Sequence, residues 1–128
     1  MATILLVEDD EQIRTLLREF LEHHGYKVIE AQNGREAITQ FSEHLIDVTI
    51  MDILLPDKDG LETIQDLRRK SPDAKVIAIS GGFDREGVNI LKMAERLGAL
   101  HTLLKPFEME KLLTTVRETL QMPPFINT

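Results

Sequence analysis

The chain has 128 residues, of which 42% are hydrophobic, and this is enough for one domain with a substantial core. Its formal net charge of −7 argues against direct binding of nucleic acid by this domain. Because cysteine is absent, disulfides and thiolate metal sites are excluded. No apolar run approaches the roughly 20 residues that a membrane-spanning helix needs, so no membrane insertion is expected. The first ten residues lack the features of a signal peptide, which favours a cytoplasmic location.

Five apolar or β-prone segments alternate along the chain with five segments of helical periodicity. Strands are predicted at residues 3–7, 26–31, 45–51, 76–80 and 102–104. The first helical segment has its apolar stripe at Ile13, Leu16, Leu17, Phe20 and Leu21. Regular alternation of strands and helices indicates βαβ units, and therefore an α/β fold with a five-stranded parallel sheet and helices on both faces. The flavodoxin-like strand order 2-1-3-4-5 is the leading prediction.

Polar side chains stand where the predicted central strands end. They are Glu8 and Asp9 after the first strand, Asp52 after the third, Ser80 at the end of the fourth and Lys105 after the fifth. Ligands of open parallel sheets bind beyond the carboxyl ends of the strands, next to the point where the strand order reverses. These five side chains are therefore expected to form one site.

The residue types at this edge indicate phosphoryl chemistry with a divalent ion. Crowded carboxylates repel one another, so at least one pKa should rise unless a cation lies among them. Oxygen ligands without nearby Cys or His favour a hard ion, and Mg²⁺ suits a site with few carboxylates. Asp52 is the candidate nucleophile toward phosphorus, because its strand ends at a turn that Pro56 and Gly60 mark. Lys105 and Ser80 could then bind phosphoryl oxygens.

Several of these residues also have ordinary structural explanations. Asp10 is interpreted as the N-cap of the first helix, and Asp57 and Asp59 as turn residues. Asp52 could be a loop residue before a turn, and Lys105 a surface lysine. The convergence of both with the acidic pair after the first strand favours the functional interpretation.

In order and spacing, these residues resemble the receiver domain of response regulators, the phosphoacceptor module of bacterial two-component signalling and chemotaxis regulators. The resemblance extends from Thr3 to Leu120. The matching residues are Glu8-Asp9, Asp52 with Pro56 and Gly60 four and eight residues later, Ser80-Gly81, and Lys105-Pro106-Phe107. On this basis residues 1–121 are expected to form the receiver domain, and residues 122–128 a C-terminal tail.

The resemblance implies a set of roles for the site. Asp52 would accept a phosphoryl group from a histidine kinase or a histidine phosphotransfer protein. Mg²⁺ would be bound by the side chains of Asp9 and Asp52 and by the backbone carbonyl of Leu54, with Glu8 acting mainly through water. Ser80 and Lys105 would bind the phosphoryl group. The peptide bond between Lys105 and Pro106 would be cis, as X–Pro bonds permit at modest cost.

The resemblance also implies a signalling output rather than enzymatic turnover. Phosphorylation would repack the face formed by the fourth helix, fifth strand and fifth helix. Candidate contact residues on this face are Lys92, Glu95, Arg96 and Lys111. The partner would be a downstream protein effector or a fused output domain, and the protein would be a monomer or a phosphorylation-linked dimer.

Three positions depart from the family pattern or bear on phosphate lifetime. The residue three before the lysine, usually aromatic in the family, is Thr102, and His101 and Phe83 are candidate substitutes. The residues two after the acceptor and two after the serine are Leu54 and Gly82. Neither can orient a water molecule, so a long-lived aspartyl-phosphate is expected.

Two other classes of function are compatible with the fold. One is a docking module that does not depend on phosphorylation, although the full set of acidic, hydroxyl and lysine groups argues against it. The other is a flavodoxin-like cofactor binder or a phosphatase. The acidic residues after the first strand would repel a cofactor phosphate. A phosphatase with an aspartyl nucleophile would need a second acid two residues later, where Leu54 stands.

Overall fold

A computed structural model describes residues 1–54, 59–81 and 85–123, with the side chains of residues 85–88 excepted. The strands are β1 (Thr3–Val7), β2 (Lys27–Ala31), β3 (Val48–Asp52), β4 (Val76–Gly81) and β5 (His101–Lys105). The helices are α1 (Glu11–His23), α2 (Gly34–Glu43), α3 (Gly60–Lys70), α4 (Arg85–Arg96) and α5 (Met109–Gln121). All strand pairs are parallel, and the order β2-β1-β3-β4-β5 confirms the predicted topology.

The sheet separates two layers of buried apolar side chains. One layer lies between the sheet and α2, α3 and α4, and includes Met51 and Ile64. The other lies between the sheet and α1 and α5, and includes Ile50 and Leu112. Neighbouring residues of β3 thus point into opposite layers. Because both faces are covered, the central strands are buried and rich in apolar residues, as expected for a parallel sheet.

Side-chain caps explain where three of the helices begin. The carboxylate of Asp10 accepts a hydrogen bond from the N–H of the third residue on (3.0 Å), which confirms it as the N-cap of α1. Asn33 caps α2 in the same way at 2.8 Å. Asp59 accepts from the N–H two residues on (2.7 Å) and caps α3. Asp57 lies outside the described residues. At the end of α1 the chain turns at Gly25, whose φ is +91°.

The prediction for the start of the third strand was wrong. β3 begins at Val48, and Leu45 is 94% exposed rather than part of the sheet. The N–H of Thr3 donates to the Asp47 carboxylate at 2.7 Å, and the N–H of Asp47 donates to the Thr3 carbonyl at 2.9 Å. These contacts hold the connection between α2 and β3 beside the beginning of β1. The apolar residues before Asp47 therefore belong to a loop.

Smaller differences concern strand ends and one helix face. β2 begins one residue later than predicted, β4 continues to Gly81, and β5 is longer by one residue at each end. On α1, Leu16 is 60% exposed and Ile13 is 37% exposed, so the apolar stripe is wider than the core beneath it. The tail expected after Gln121 stays a prediction, and residues 124–128 lie outside the described part. Within that part, no helix has both the length and the hydropathy of a membrane span.

Candidate functional site

The strand register brings the carboxyl ends of β1, β3, β4 and β5 to one edge of the sheet. Val7 of β1 is paired with Met51 of β3, so Glu8 and Asp52 follow side by side. Asp52 is paired in turn with Ile79 of β4, and Gly81 of β4 is paired with Lys105 of β5. The sequence prediction that these strand ends form one cluster is confirmed for Glu8, Asp9, Asp52 and Lys105.

Lys105 joins two of the carboxylates directly. Its Nζ lies 2.9 Å from Oε1 of Glu8 and 2.9 Å from Oδ2 of Asp52. The side chain of Lys105 is 26% exposed, while those of Glu8 and Asp52 are 4% and 8% exposed. The lysine stem passes over Gly81, where an added Cβ would meet Cδ of Lys105 at 3.6 Å. One ammonium from β5 therefore compensates two buried carboxylates that the neighbouring strands β1 and β3 bring side by side.

Asp52 is less open than the sequence suggested. Asp52 was expected to follow the third strand at the beginning of a turn, yet residue 52 is only 6% exposed. One carboxylate oxygen is held by Lys105, and the other, Oδ1, accepts a hydrogen bond from the Leu54 N–H at 3.0 Å. The difference arises because β3 is the central strand of the sheet and Asp52 is its last residue rather than the first loop residue.

The electrostatics of the site follow from burial and from the proximity of like charges. Burial, together with a hydrogen bond and repulsion from Glu8, raises the pKa of Asp9 above its usual 3.8. The direction of this shift agrees with the rise in pKa expected for at least one carboxyl of the cluster. Burial alone would lower the pKa of Lys105, but its hydrogen bonds to Asp52 and Glu8 outweigh burial and raise that pKa above 10.5.

The acidic residues can hold a divalent cation. One carboxylate oxygen from each of Glu8, Asp9 and Asp52 lies within 4.8 Å of the other two. An all-oxygen donor set of this size fits a hard ion such as Mg²⁺. A cation bound there would oppose the rise in the pKa of Asp9 that burial and the neighbouring Glu8 produce. Leu54 is held beside the cluster through its amide contact with Asp52, and its side chain is largely exposed.

Ser80 is at the same edge but does not touch the acidic cluster through any contact among the described residues. It is fully buried, and its Oγ lies 3.4 Å from the carbonyl oxygen of Gly81.

Gly60, the first residue of α3, packs closely against the chain that follows β3. Its N–H donates to the carbonyl of Ile53 at 3.1 Å, and an added Cβ would lie 2.5 Å from the Ile53 Cα. Only glycine allows the beginning of α3 to approach β3 this closely.

Sequence reasoning missed an arginine contact behind the acidic residues. Nη1 of Arg14 donates to the backbone carbonyl of Glu8 at 2.9 Å, and its Nε lies 3.4 Å from Oε1 of Glu30. A single arginine on an amphipathic helix carries no local signal of such a role. Only the parallel register of β1 and β2, which brings Glu30 beside Leu6, makes the contact foreseeable.

The region of the predicted switch has polar contacts instead of an aromatic side chain. Oγ1 of Thr102 donates to Oε1 of Glu95 at 3.3 Å, which joins β5 to α4. Nδ1 of His101 lies 2.8 Å from Oγ1 of Thr119, so this ring contacts α5. Phe83 and Gly82 lie outside the described residues. The predicted cis peptide bond between Lys105 and Pro106 is present.

The fold and the site define a class: flavodoxin-like α/β proteins with an acidic pocket and a lysine at the carboxyl edge of the sheet. The family model described as the response regulator receiver domain matches residues 4–117. The chain belongs to the response regulator receiver family, which confirms the resemblance noted in the sequence.

Relatives of this chain include both long and short regulators. The probable C4-dicarboxylate response regulator DctR of Priestia megaterium is 36% identical over 112 residues, which are 86% of this chain and 48% of that protein. Chemotaxis protein CheY of Bacillus subtilis (strain 168) is 29% identical over 118 residues, which are 91% of this chain and 96% of that protein. This chain thus spans about half the length of DctR and nearly all of CheY.

The solved structures show the same architecture. The response regulator protein TrrA of Thermotoga maritima, determined in complex with Mg(2+)-BeF, has a TM-score of 0.80 and 33% sequence identity. The match covers 93% of this chain and 99% of that one. The two chains therefore share their architecture over nearly their whole length.

Proposed function

We propose that this domain is a phosphorelay receiver in which Asp52 accepts a phosphoryl group. The donor is a histidine kinase or a histidine phosphotransfer protein. The observation that carries the proposal is the contact of one lysine with two buried carboxylates, at the edge where a third carboxylate completes an oxygen cluster. Membership in the receiver family supports the same chemistry.

The transfer step is a displacement at phosphorus. A carboxylate oxygen of Asp52 forms a bond to the phosphorus atom, while the bond from phosphorus to the donor's imidazole nitrogen breaks. The imidazole nitrogen keeps the electron pair, so the net change is the exchange of a phosphohistidine for an aspartyl-phosphate. Because Lys105 holds Asp52 at 2.9 Å, its ammonium needs to move only a short distance to bind a phosphoryl oxygen.

The remaining residues of the edge complete the charge balance. Asp9, Asp52 and the backbone carbonyl of Leu54 would hold Mg²⁺, and Glu8 would act mainly through water. When bound, the ion supplies countercharge to the carboxylates and to the phosphoryl oxygens. Ser80 turns its hydroxyl from the Gly81 carbonyl toward the phosphoryl group.

Phosphorylation changes the face formed by α4, β5 and α5. Thr102 lies on the same strand as Lys105, and its hydroxyl donates to Glu95 on α4, so a displacement of β5 is passed on to α4. The exposed residues Lys92 and Arg96 of α4 then present the altered surface to an effector protein or to a fused output domain. The phosphorylated state must be favoured by a few kcal/mol for this shift of population to carry a signal.

We also propose a cytoplasmic location, as expected for a receiver domain. In this proposal the domain is a monomer or a phosphorylation-linked dimer, with no turnover of substrate. The alternative is a docking module of the same fold that never carries phosphate. The complete cluster of acidic groups and lysine favours the first proposal over this one.

Treatment with acetyl phosphate and Mg²⁺ distinguishes a phosphate-accepting receiver from a docking module. Intact-protein mass spectrometry should find one adduct of phosphate mass on the wild-type protein. Asp52→Asn should remove the adduct, whereas Asp10→Asn should retain it, because an asparagine can still cap α1. Absence of an adduct from the folded wild-type protein, with acetyl phosphate and with a panel of phosphorylated kinases, would establish the docking alternative.

A further inference from the structure

Arg14 holds the backbone that carries the two acidic residues after β1. Its guanidinium donates to the carbonyl of Glu8 at 2.9 Å, and that carbonyl belongs to the peptide bond between Glu8 and Asp9. On the preceding side, the N–H of Glu8 donates to the Ala31 carbonyl at 3.1 Å. The main chain of Glu8 is thus fixed in both directions, and the direction in which Asp9 leaves the sheet is fixed with it.

The guanidinium is itself held in place. Its Nε lies 3.4 Å from Oε1 of Glu30, on the neighbouring strand β2, and the Arg14 side chain is only 15% exposed. Arg18, one turn later on α1, also contacts Glu30, and its Nε lies 3.8 Å from the same oxygen. Arg14 therefore bridges a strand carboxylate and a loop carbonyl, a two-acceptor contact that the planar guanidinium fork permits.

We propose that Arg14 is a positioning residue for the divalent cation, acting through the peptide bond between Glu8 and Asp9. This inference rests on the proposed function, because it takes Asp9 as a ligand. Arg14 touches neither the ion nor the phosphoryl group. Groups that orient metal ligands from outside the coordination sphere commonly change metal affinity by about 10–100-fold when removed.

Simple electrostatics and the positioning role predict opposite results. Arg14 is a positive charge near a cation site, so removing its charge should tighten Mg²⁺ binding if charge alone mattered. Removing the hydrogen bond that fixes Asp9 should weaken binding. Arg18 supplies the matched control: it lies on the same helix, has the same charge and contacts the same Glu30 oxygen, but it has no contact with Glu8 among the described residues.

The test measures Mg²⁺ affinity by isothermal titration calorimetry on the folded, full chain. The proteins compared are wild type, Arg14→Ala, Arg14→Lys and Arg18→Ala. Arg14→Ala is expected to bind Mg²⁺ about tenfold more weakly. Arg14→Lys keeps the charge but cannot span both acceptors with one ammonium, so it should also bind more weakly. Arg18→Ala should bind as tightly as wild type or more tightly. At saturating Mg²⁺, the rate of modification of Arg14→Ala by acetyl phosphate should approach the wild-type rate.

The outcomes separate this inference from the proposal on which it rests. If wild-type protein does not bind Mg²⁺, or if Asp9→Asn leaves the Mg²⁺ affinity unchanged, the metal site itself is refuted. If wild type binds and both Arg14 variants bind equally well or more tightly, the positioning role is refuted while the metal site stands. Should Arg14→Ala fail to fold by far-ultraviolet circular dichroism, the charge-conserving Arg14→Lys decides the question. Equal weakening in Arg18→Ala would assign the effect to Glu30 and overturn the role of Arg14.

Discussion

Replacing Lys105 by methionine removes the positive charge that two buried carboxylates share. Methionine keeps an unbranched apolar chain over Gly81, so the packing changes little. The oxygens of Glu8 and Asp52 that now lie 2.9 Å from Nζ would lose their cationic partner. We expect the metal-free variant to be markedly less stable than wild type.

The magnitude follows from burial. Removing one partner of a fully buried ion pair costs about 3–5 kcal/mol. The carboxylates here are almost fully buried, but the Lys105 side chain is 26% exposed, so solvent screens part of the interaction. We therefore expect the free energy of unfolding to fall by about 2–3 kcal/mol. Saturating Mg²⁺ should restore more stability to the variant than it adds to wild type, because the ion replaces the missing charge.

Urea unfolding, followed by far-ultraviolet circular dichroism at near-neutral pH, measures this difference. Lys111→Met is the matched control, because Lys111 is exposed on α5, and it should change stability by less than about 0.5 kcal/mol. The pKa of Lys105 is raised on folding, so its contribution is fully present below the ordinary pKa of 10.5 and is lost only as the pH rises through the higher folded value. A loss for Lys105→Met no larger than that for Lys111→Met would refute the argument.

Three further predictions concern other residues of the edge. Asp9→Asn should raise the stability of the metal-free protein, because folding raises the pKa of Asp9 and its negative charge therefore disfavours the folded state relative to the unfolded one. The same substitution should weaken Mg²⁺ binding measured by titration calorimetry. Gly60→Ala should lower the free energy of unfolding by about 1–3 kcal/mol, because its Cβ would meet the Ile53 backbone at 2.5 Å. Leu54→Asn should shorten the lifetime of phosphate on Asp52, measured as loss of label from the isolated domain.

Each of these predictions has a matched control and a contradicting result. Asp10→Asn removes a charge one residue from Asp9 and should leave Mg²⁺ affinity nearly unchanged; equal weakening would mean that net charge alone matters. Gly81→Ala places its Cβ at an ordinary 3.6 Å from the Lys105 stem, so a cost matching that of Gly60→Ala would contradict the backbone clash. Leu45→Asn changes a residue that is 94% exposed and remote from the carboxyl ends of the strands. If it shortened the phosphate lifetime as much as Leu54→Asn, the effect could not be assigned to the position of residue 54 beside Asp52.

The fold was predictable because burial on both faces leaves a strong trace in the sequence. β1 was predicted at its observed bounds, since its five residues form an uninterrupted apolar run beside a capped helix. The start of β3 was not predictable from pattern alone. Leu45 and Ile46 are apolar, and only the contact of Asp47 with Thr3 assigns them to a loop.

The candidate site shows the same division between local and long-range information. The topology rule brings strand ends together, so the cluster of Glu8, Asp9, Asp52 and Lys105 follows once the strands are known. The contact between Arg14 and the Glu8 carbonyl does not follow, because it depends on the rotamer of one side chain and on the register of β1 and β2. The burial of Asp52 was also missed, since strand ends and loop beginnings look alike in sequence.

The two partners of the central ion pair differ in how freely their backbones can move. Asp52 ends β3, which is hydrogen-bonded to a strand on each side, whereas Lys105 ends β5, which within the described sheet is paired with β4 alone. An edge strand can tilt after losing one ladder of hydrogen bonds, but an interior strand must lose two ladders before it can tilt. Any rearrangement at the carboxylate is therefore expected to displace the lysine end outward and leave the aspartate end stationary, so amide exchange should be faster along β5 than along β3.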